Sequence, residues 1–238
     1  MKKIIIDPEF WELFPDGQIN ILMLNQLDNH SNIQDETKFQ GLLDEAVEQS
    51  KQYLKEETFR FNPVIDQWRK ALQQFKTKKG ARSSIEALLK RVDQGKSLTP
   101  INPLVDIYNS ISLKFASPCG GEDLDKIVGD LHLGTAKGGE SFYPLGETED
   151  NPALPDEVIY YDEKGAICRS MNWREAQRTM LTNDTTNAVL VIEAINQEQV
   201  DRSDQAIKEL HKLCLDNFQV KGEVMKLTRD QTEQVIVH

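Results

Sequence analysis

The residue pattern of the chain changes between two neighbouring segments, residues 101–113 (INPLVDIYNSISL) and residues 118–127 (PCGGEDLDKI). The first segment has helical apolar spacing after a proline, a residue that is favoured in the first turn of a helix. The second segment and the chain beyond it are punctuated by glycine, which is typical of strands joined by short turns. Helices before this point and strands after it predict an α+β fold rather than alternating βαβ units.

The first half of the chain carries one strand signal and several helix signals. Two short apolar runs, Lys3–Ile6 and Gln18–Leu24, flank a Pro-Asp-Gly turn signal and predict a hairpin. Helical spacing then predicts helices over Gly41–Glu57, from Pro63, and after Ser83, where a capping-box pattern begins.

Four apolar runs in the second half predict strands, and a turn signal at residues 162–165 predicts that the middle two form a hairpin. Ser203 predicts the start of an amphipathic helix, and residues 220–227 and 235–237 are expected to close the sheets. The four runs are Leu131–Ala136, Glu157–Tyr161, Ala166–Met171 and Ala188–Ile195.

The charge is distributed unevenly. The chain carries 28 Lys and Arg against 39 Asp and Glu, a formal net charge of −11, which disfavours unspecific binding of nucleic acid. The segment from Arg69 to Lys96, however, holds nine basic and two acidic residues, a net charge of +7, and leaves −18 for the remainder. This segment is either the solvated face of two helices or a patch that contacts phosphates. The candidate RNA contacts are the loop residues Lys76, Lys78, Lys79 and Arg82.

The composition excludes several classes of protein. Three widely spaced cysteines form no zinc knuckle or thioredoxin motif and fit a reducing compartment. No apolar stretch approaches the roughly 20 residues that a membrane span needs, so we expect a soluble, cytoplasmic protein without a membrane partner. The P-loop, the dinucleotide fingerprint and the GxSxG elbow are absent, and no cofactor or metal site is predicted.

Five short motifs follow one another along the chain. The two segments quoted above precede GGESFYPLG at residues 138–146, EVIYYD at residues 157–162 and DTTNAVL at residues 184–190. Their order and spacing resemble the editing module of the bacterial phenylalanyl-tRNA synthetase beta subunit, formed by its third and fourth domains. The closer resemblance is to free-standing proteins built from that module alone. The motifs span about residues 82–195, and we expect residues 1–238 to form a single domain of this kind.

The resemblance implies a three-layered α+β fold with mixed β-sheets in a sandwich-like core and flanking helices. It also implies a pocket that hydrolyses the ester of a wrongly charged aminoacyl-tRNA in trans, without a metal. Such an ester is already activated, so the protein need only orient a water and stabilise an oxyanion, and backbone amides of glycine-rich turns can do both. The expected catalytic residues are Asn109, Gly120 and Gly121, and the expected substrate-binding residues are Tyr108, Glu140, Arg174 and Thr185.

Several alternatives stay open at this stage, among them a hydrolase or transferase that acts on a different small amide or ester and is indifferent to RNA. The synthetase typically carries Pro-x-His-Ala-Phe-Asp where this chain has residues 118–123, so Gly120 takes the place of the histidine. That departure favours a non-catalytic module that binds RNA or an amino-acid-like ligand with the same fold. The glycine pairs can equally be turns with positive φ, and Arg174 can hold a carboxylate or phosphate, or form a structural ion pair. The sequence does not indicate an oligomeric state.

Overall fold

The computed structural model describes residues 2–30 and 33–236, within which the chain forms six α-helices and ten β-strands. Two short 3₁₀ turns, Lys51–Tyr53 and Phe59–Phe61, separate the second helix from the third. The helices are α1 (Pro8–Leu13), α2 (Ile33–Ser50), α3 (Pro63–Ala71), α4 (Ser84–Asp93), α5 (Pro103–Phe115) and α6 (Gln197–Phe218). The strands are β1 (Lys2–Ile6), β2 (Gln18–Leu24), β3 (Cys119–Asp123), β4 (Leu131–Thr135), β5 (Val158–Asp162), β6 (Gly165–Arg169), β7 (Arg174–Glu175), β8 (Ala188–Ala194), β9 (Glu223–Leu227) and β10 (Glu233–Ile236).

The strands form two sheets. Sheet A has the order β10-β1-β4-β5-β6-β7 and is antiparallel except for the parallel pair of β1 and β4. Sheet B has the order β3-β8-β2-β9 and is antiparallel throughout. Within this part of the chain, β7 is therefore an edge strand of sheet A and β3 an edge strand of sheet B.

The molecule has three layers. Alternate residues of sheet B, such as Ile21 and Val191, pack against sheet A in the main core. The other residues of the same strands, such as Leu22 and Leu190, pack against α5 and α6 in a second core. The order of helices, sheet B and sheet A confirms the expected three-layered α+β fold. None of the helices in the described ranges is long and apolar enough to cross a membrane.

Local chemistry fixes several helix starts where the sequence predicts them. Helix α4 begins after Ser83, whose hydroxyl accepts a hydrogen bond from the Glu86 amide. Helices α3 and α5 begin at Pro63 and Pro103, and the four strands predicted between residues 131 and 195 are present within two residues of their expected bounds. The predicted hairpin is confirmed too, because β5 pairs with β6 across residues 162–165.

The predicted N-terminal hairpin is wrong. Strands β1 and β2 lie in different sheets, and the intervening segment contains α1 instead of a tight turn. Phe10 and Trp11 of α1 are buried in the main core, so the helix carries the chain from one sheet to the other.

Three smaller expectations are also wrong, and one is not covered. Ser203 is buried within α6, which starts at Gln197 under an Asn196 cap. Helix α2 runs over Ile33–Ser50 instead of Gly41–Glu57, because its polar first turns are helical and the chain tightens into a 3₁₀ turn after Ser50. The pair Gly120–Gly121 forms part of a strand rather than a turn with positive φ. The last predicted strand ends at Val237, which lies outside the described residues.

Candidate functional site

A cavity of about 340 Å³ lies between the two sheets, where the edge strands β3 and β7 face each other. Sheet B contributes residues of β3 and β8, and sheet A contributes residues of β4, β5, β6 and β7. Ser84 in the first turn of α4 and the loop residues 144–145 and 171–173 complete the wall. This size falls within the range of small-ligand sites.

Strand β3 turns its two central glycines to opposite sides. Alternation along the strand places Gly120 and Glu122 towards the cavity and Gly121 towards the helices. A Cβ atom at Gly120 would meet only Glu175 Oε1, at 3.9 Å, whereas one at Gly121 would collide with the side chain of Leu190. Gly120 therefore keeps the cavity open, and Gly121 allows β3 to pack closely on β8.

The N–H of Gly121 points to the open edge of β3. The Leu124 amide donates to Asn187 O next to β8, whereas the Asp123 amide donates to Thr179 O, away from β8. Amides alternate in direction along a strand, so Gly121 shares the orientation of Asp123. An edge amide beside a cavity can donate a hydrogen bond to an anionic oxygen.

Two glutamates, Glu122 of β3 and Glu175 of β7, approach each other in the cavity wall. Burial raises the pKa of Glu122 well above its ordinary value, the charge on Glu175 adds to this effect, and the charge on Arg178 opposes it. Burial also raises the pKa of Glu175 to about 7, and a hydrogen bond with the Tyr108 hydroxyl opposes the shift. Glu175 therefore exchanges its proton near neutral pH.

A third glutamate, Glu193 of β8, is held by two donors. The Tyr160 hydroxyl donates to Oε1 at 2.9 Å, and the Asn172 side-chain amide donates to Oε2. Burial raises the pKa of Glu193 to about 7, and both hydrogen bonds oppose the shift. This carboxyl group is fixed in orientation and can exchange a proton near neutral pH, which are the two properties that a general base requires.

Arg174 lies at the mouth of the cavity, between Trp173 and an acidic partner. Its guanidinium lies 5.1 Å from the Trp173 ring centroid and 2.5 Å from Glu147 Oε1. The side chains of Arg174 and Glu147 remain 42% and 43% exposed, so this ion pair is open to solvent. The structure thus shows the ion pair that the sequence left as one alternative, at a position that borders the cavity.

The wall offers neither an activated thiol nor a metal cluster. Burial raises the pKa of Cys119 and Cys168 well above the ordinary value, which makes both thiols poor nucleophiles. Among the described residues, no three His, Cys, Asp or Glu side chains are grouped so that they could hold a metal ion.

The predicted catalytic residues divide between the wall and its surroundings. Gly120 and Gly121 belong to the cavity wall, as does Arg174 from the substrate-binding set. Tyr108 is buried on α5 and reaches Glu175. Asn109 lies on α5 and is not one of the described wall residues, so its catalytic role stays a prediction.

Two further predicted substrate-binding residues lie outside the described wall. The Glu140 carboxylate accepts hydrogen bonds from the amides of Lys137 and Gly138 and so caps its own loop. The buried Thr185 hydroxyl donates to Asp123 Oδ2 at 2.9 Å. The structure gives both residues local partners, and their contact with substrate stays a prediction.

The predicted RNA contacts Lys76, Lys78, Lys79 and Arg82 are all exposed, and their loop packs against residues 151–156, where the Lys76 amide donates to the Asp156 carbonyl and the Lys78 ammonium donates to Asn151 Oδ1. Ser84, two residues after Arg82, lines the cavity, and its amide donates to Asn172 Oδ1 at 3.0 Å. Elsewhere in the basic segment, Arg69 pairs with Glu86 and Lys90 pairs with Asp93. The basic loop therefore ends two residues before the cavity wall, and Arg91 and Lys96 add exposed positive charge further along the segment.

Sequence reasoning missed the three wall glutamates. The signal for Glu193 was present, because a single carboxylate in the apolar run AVLVIEA is costly to bury without a partner or a role. Glu122 directly follows the Gly120–Gly121 pair, but the chain holds many acidic residues, so the sequence alone does not mark this glutamate as a site residue. Glu175 becomes a site residue only when β7 is placed opposite β3.

The family model that matches this chain and its curated relatives agree with each other. The B3/4 domain family matches residues 67–218, well over half of the chain. The beta subunit of phenylalanine–tRNA ligase from Corynebacterium jeikeium is 35% identical over 66 residues, covering 28% of this chain and 8% of the relative. The subunit from Psychrobacter arcticus is 34% identical over 89 residues, covering 37% and 11%. The subunit from Mycoplasma genitalium is 26% identical over 139 residues, covering 58% and 16%.

Among solved structures, an N-terminal fragment of the phenylalanyl-tRNA synthetase beta subunit from Pyrococcus horikoshii overlaps loosely with this chain. The TM-score is 0.44 at 14% identity, over 93% of this chain and 49% of that one. The matches to the three curated relatives cover at most about a sixth of the relatives' own length, 16% for the subunit from Mycoplasma genitalium. The family match over residues 67–218 establishes that the chain belongs to the B3/4 domain family, and it confirms the resemblance to the phenylalanyl-tRNA synthetase beta subunit.

Proposed function

We propose that this chain binds the aminoacyl end of an aminoacyl-tRNA in the cavity and hydrolyses the ester in trans. The observation that carries the proposal is the position of the cavity, enclosed by two sheets of a B3/4 domain, with the exposed basic loop Lys76–Arg82 ending two residues before Ser84 of the cavity wall. The relatives named above are subunits of a ligase that acts on tRNA, which supports an RNA-borne substrate. The proposal places the protein in the cytoplasm, where charged tRNA is used.

The chain's own groups suit ester hydrolysis through an oriented water. In the proposed arrangement, the edge amide of Gly121 donates to the developing oxyanion, and Gly120 leaves room for the ester beside it. Glu193, fixed by Tyr160 and Asn172, accepts a proton from the attacking water. The water oxygen then bonds to the ester carbonyl carbon, and as the bond to the ribose oxygen of the tRNA breaks, Glu193 returns the proton to that oxygen. Asn109 is not one of the described wall residues, and its catalytic role stays a prediction of the resemblance.

The test is deacylation of a panel of tRNAs that carry correct and incorrect amino acids. We expect faster release of at least one amino acid than in buffer, with the rate abolished in Glu193→Gln. The control is Glu149→Gln, which removes an exposed carboxylate outside the described wall. No release from any member of a broad panel would refute the hydrolytic activity.

The RNA part of the proposal has its own test. Exchanging Lys76, Lys78, Lys79 and Arg82 together for Glu should weaken tRNA binding and reduce its salt dependence, because phosphate contacts release counterions. Binding that is absent in the wild type, or unchanged by the exchange at low salt, would refute the RNA partner.

A second candidate function is a non-catalytic module that binds RNA or an amino-acid-like ligand. The observation that favours it is Gly120 at the place where the resembling synthetase motif carries a histidine. This candidate predicts no deacylation, and its RNA-binding form also predicts tRNA binding, so the deacylation test separates it from the first.

A further inference from the structure

The cavity is rich in carboxyl groups and poor in positive charge. Three glutamates line it, whereas Arg174 is the one basic side chain among its described wall residues. Arg174 lies at the mouth and is paired with Glu147. The interior therefore presents an excess of acidic groups to whatever enters.

Glu122 is the carboxyl group with the least compensation. The residue is only 9% exposed, and within the described residues its Oε2 atom has no hydrogen-bond partner. The Thr179 hydroxyl lies near it but outside hydrogen-bond geometry, so it stabilises the carboxylate only in part. A buried carboxyl oxygen without a donor is costly, because its lost hydration is not replaced.

The nearest positive charge is already engaged. Arg178 donates to both carboxylate oxygens of Asp162 and to the Lys126 carbonyl. The neighbouring Asp123 accepts from Thr185 and faces away from the cavity along β3. Glu122 therefore shares its end of the cavity with Glu175, and no described side chain there supplies a free cation.

The rest of the wall suits an aliphatic stem. Leu131, Met171 and Val191 are buried apolar side chains of the wall, and Trp173 stands at its mouth. A ligand with a short apolar stem and a cationic nitrogen matches this combination of apolar walls and an acidic end.

We propose that Glu122 and Glu175 bind a primary ammonium group of the ligand, with its aliphatic stem against the apolar wall. The inference rests on the proposed function and deepens it, because it names the chemical class of the aminoacyl group. Two sources of the ammonium fit this chemistry: the α-amino group, which most amino acids carry, and the side chain of a basic amino acid.

Four amides of one stem length separate the two sources by calorimetry. Lysinamide has both ammonium groups, norleucinamide has only the α-group, 6-aminohexanamide has only the terminal group, and hexanamide has neither. Because amides resist hydrolysis, binding is measured without turnover. We expect lysinamide to bind at least about tenfold more tightly than hexanamide, a difference of roughly 1.4 kcal/mol. The two intermediate ligands then identify which ammonium is recognised.

The matched variants locate the cation. Glu122→Gln should cost the recognised ligand about tenfold in affinity while leaving hexanamide unchanged, and Glu175→Gln serves as the second variant if the first fails to fold. Glu149→Gln is the control for net charge. Binding should also release protons at pH 7, measurable in buffers of different ionisation enthalpy, because a nearby cation favours the carboxylate of Glu175.

Two outcomes overturn the inference: equal binding of lysinamide and hexanamide, including no binding of either, or full affinity in both glutamine variants. These outcomes are distinct from failure of the proposed function. A protein that binds lysinamide but deacylates no tRNA would retain the cation site and lose the hydrolytic role. A protein that deacylates tRNA with no preference for the ammonium would do the reverse.

Discussion

Two regions of the molecule bury carboxylates, and they treat them in opposite ways. In the first region, Glu157 is fully buried and pairs with the equally buried Arg169, with 2.6 Å between Oε2 and the guanidinium nitrogen. Ser170 and the Leu154 amide also donate to Glu157. In the second region, Glu122 and Glu175 share a cavity wall without a described cationic partner.

This difference separates a structural site from a ligand site. A buried carboxylate that is fully hydrogen-bonded and paired completes the fold by itself. A buried carboxyl group that lacks a hydrogen-bond donor and borders a cavity remains available to bind a ligand. Each prediction below tests whether the two regions differ in this way.

The largest effect is expected from Arg169→Met. Methionine replaces the aliphatic stem of the arginine but not its charge, so Glu157 stays buried without its cation. Such a loss typically costs about 3–5 kcal/mol of unfolding free energy. Urea denaturation at pH 7 measures the loss. The double variant Arg169→Met with Glu157→Gln should recover part of it, since the amide carries no charge. A single variant as stable as the wild type would mean that the first region does not depend on its ion pair.

The second effect contrasts the two glycines of β3. Gly121→Ala should destabilise the fold by about 1–3 kcal/mol, because the new methyl group collides with Leu190 in a packed core. Gly120→Ala should leave stability nearly unchanged, because its methyl group would enter the cavity and meet only Glu175 Oε1 at 3.9 Å. Thermal unfolding compares the two. Equal losses in both variants would show that Gly120 is packed and that the cavity is not open at this wall.

These glycines also show how far sequence reasoning reaches. The starts of α3, α4 and α5 follow from Pro63, Ser83 and Pro103, because caps and prolines act within one turn. The resemblance drew attention to Gly120 and Gly121, but local sequence favours a turn for two adjacent glycines. Pairing with Val191 and Leu190 of β8, about 70 residues further along the chain, makes them a strand.

The errors at the N-terminus and at the site have the same cause. Strand β1 pairs with β4, more than 100 residues away, so a turn signal after it could not reveal its true neighbour. Glu175 becomes part of a site only through its position opposite Gly120, which depends on how the two sheets pack. Burial and opposition across a core are properties of the tertiary structure, whereas helix starts are properties of a few consecutive residues.

The third effect concerns pH and the three carboxyl groups of the cavity wall. The pKa of Glu175 and Glu193 rises from 4.5 to about 7 on folding, so the folded protein holds protons that the unfolded chain releases in this window. Stability should therefore fall as the pH rises from about 4.5 through 7. Burial also raises the pKa of Glu122, so this carboxyl group lowers stability at high pH in the same way. Glu122→Gln removes that contribution, and we expect the variant to be more stable than the wild type by about 1–2 kcal/mol at pH 8. The advantage should vanish near pH 4.

Urea denaturation across this pH range measures the effect, with Glu149→Gln as the control at an exposed carboxylate. A wild type whose stability rises between pH 5 and 8, or a Glu122→Gln variant that is less stable at pH 8, would show that the cavity carboxyl groups are compensated after all. The second region would then resemble the first.

The smallest effect is expected at the mouth, where Arg174 and Glu147 form an exposed ion pair through one guanidinium nitrogen, whereas the buried Arg169 contacts Glu157 through two. The two ion pairs have nearly the same separation, 2.5 Å at the mouth and 2.6 Å in the core. The pair at the mouth is more than 40% exposed on each side, whereas the core pair is at most 1% exposed. Water and salt screen an exposed pair, so Glu147→Gln should change the unfolding free energy by less than about 1 kcal/mol. A loss as large as that of Arg169→Met would mean that distance rather than burial sets the strength of these pairs, and the contrast between the two regions would lose its physical basis.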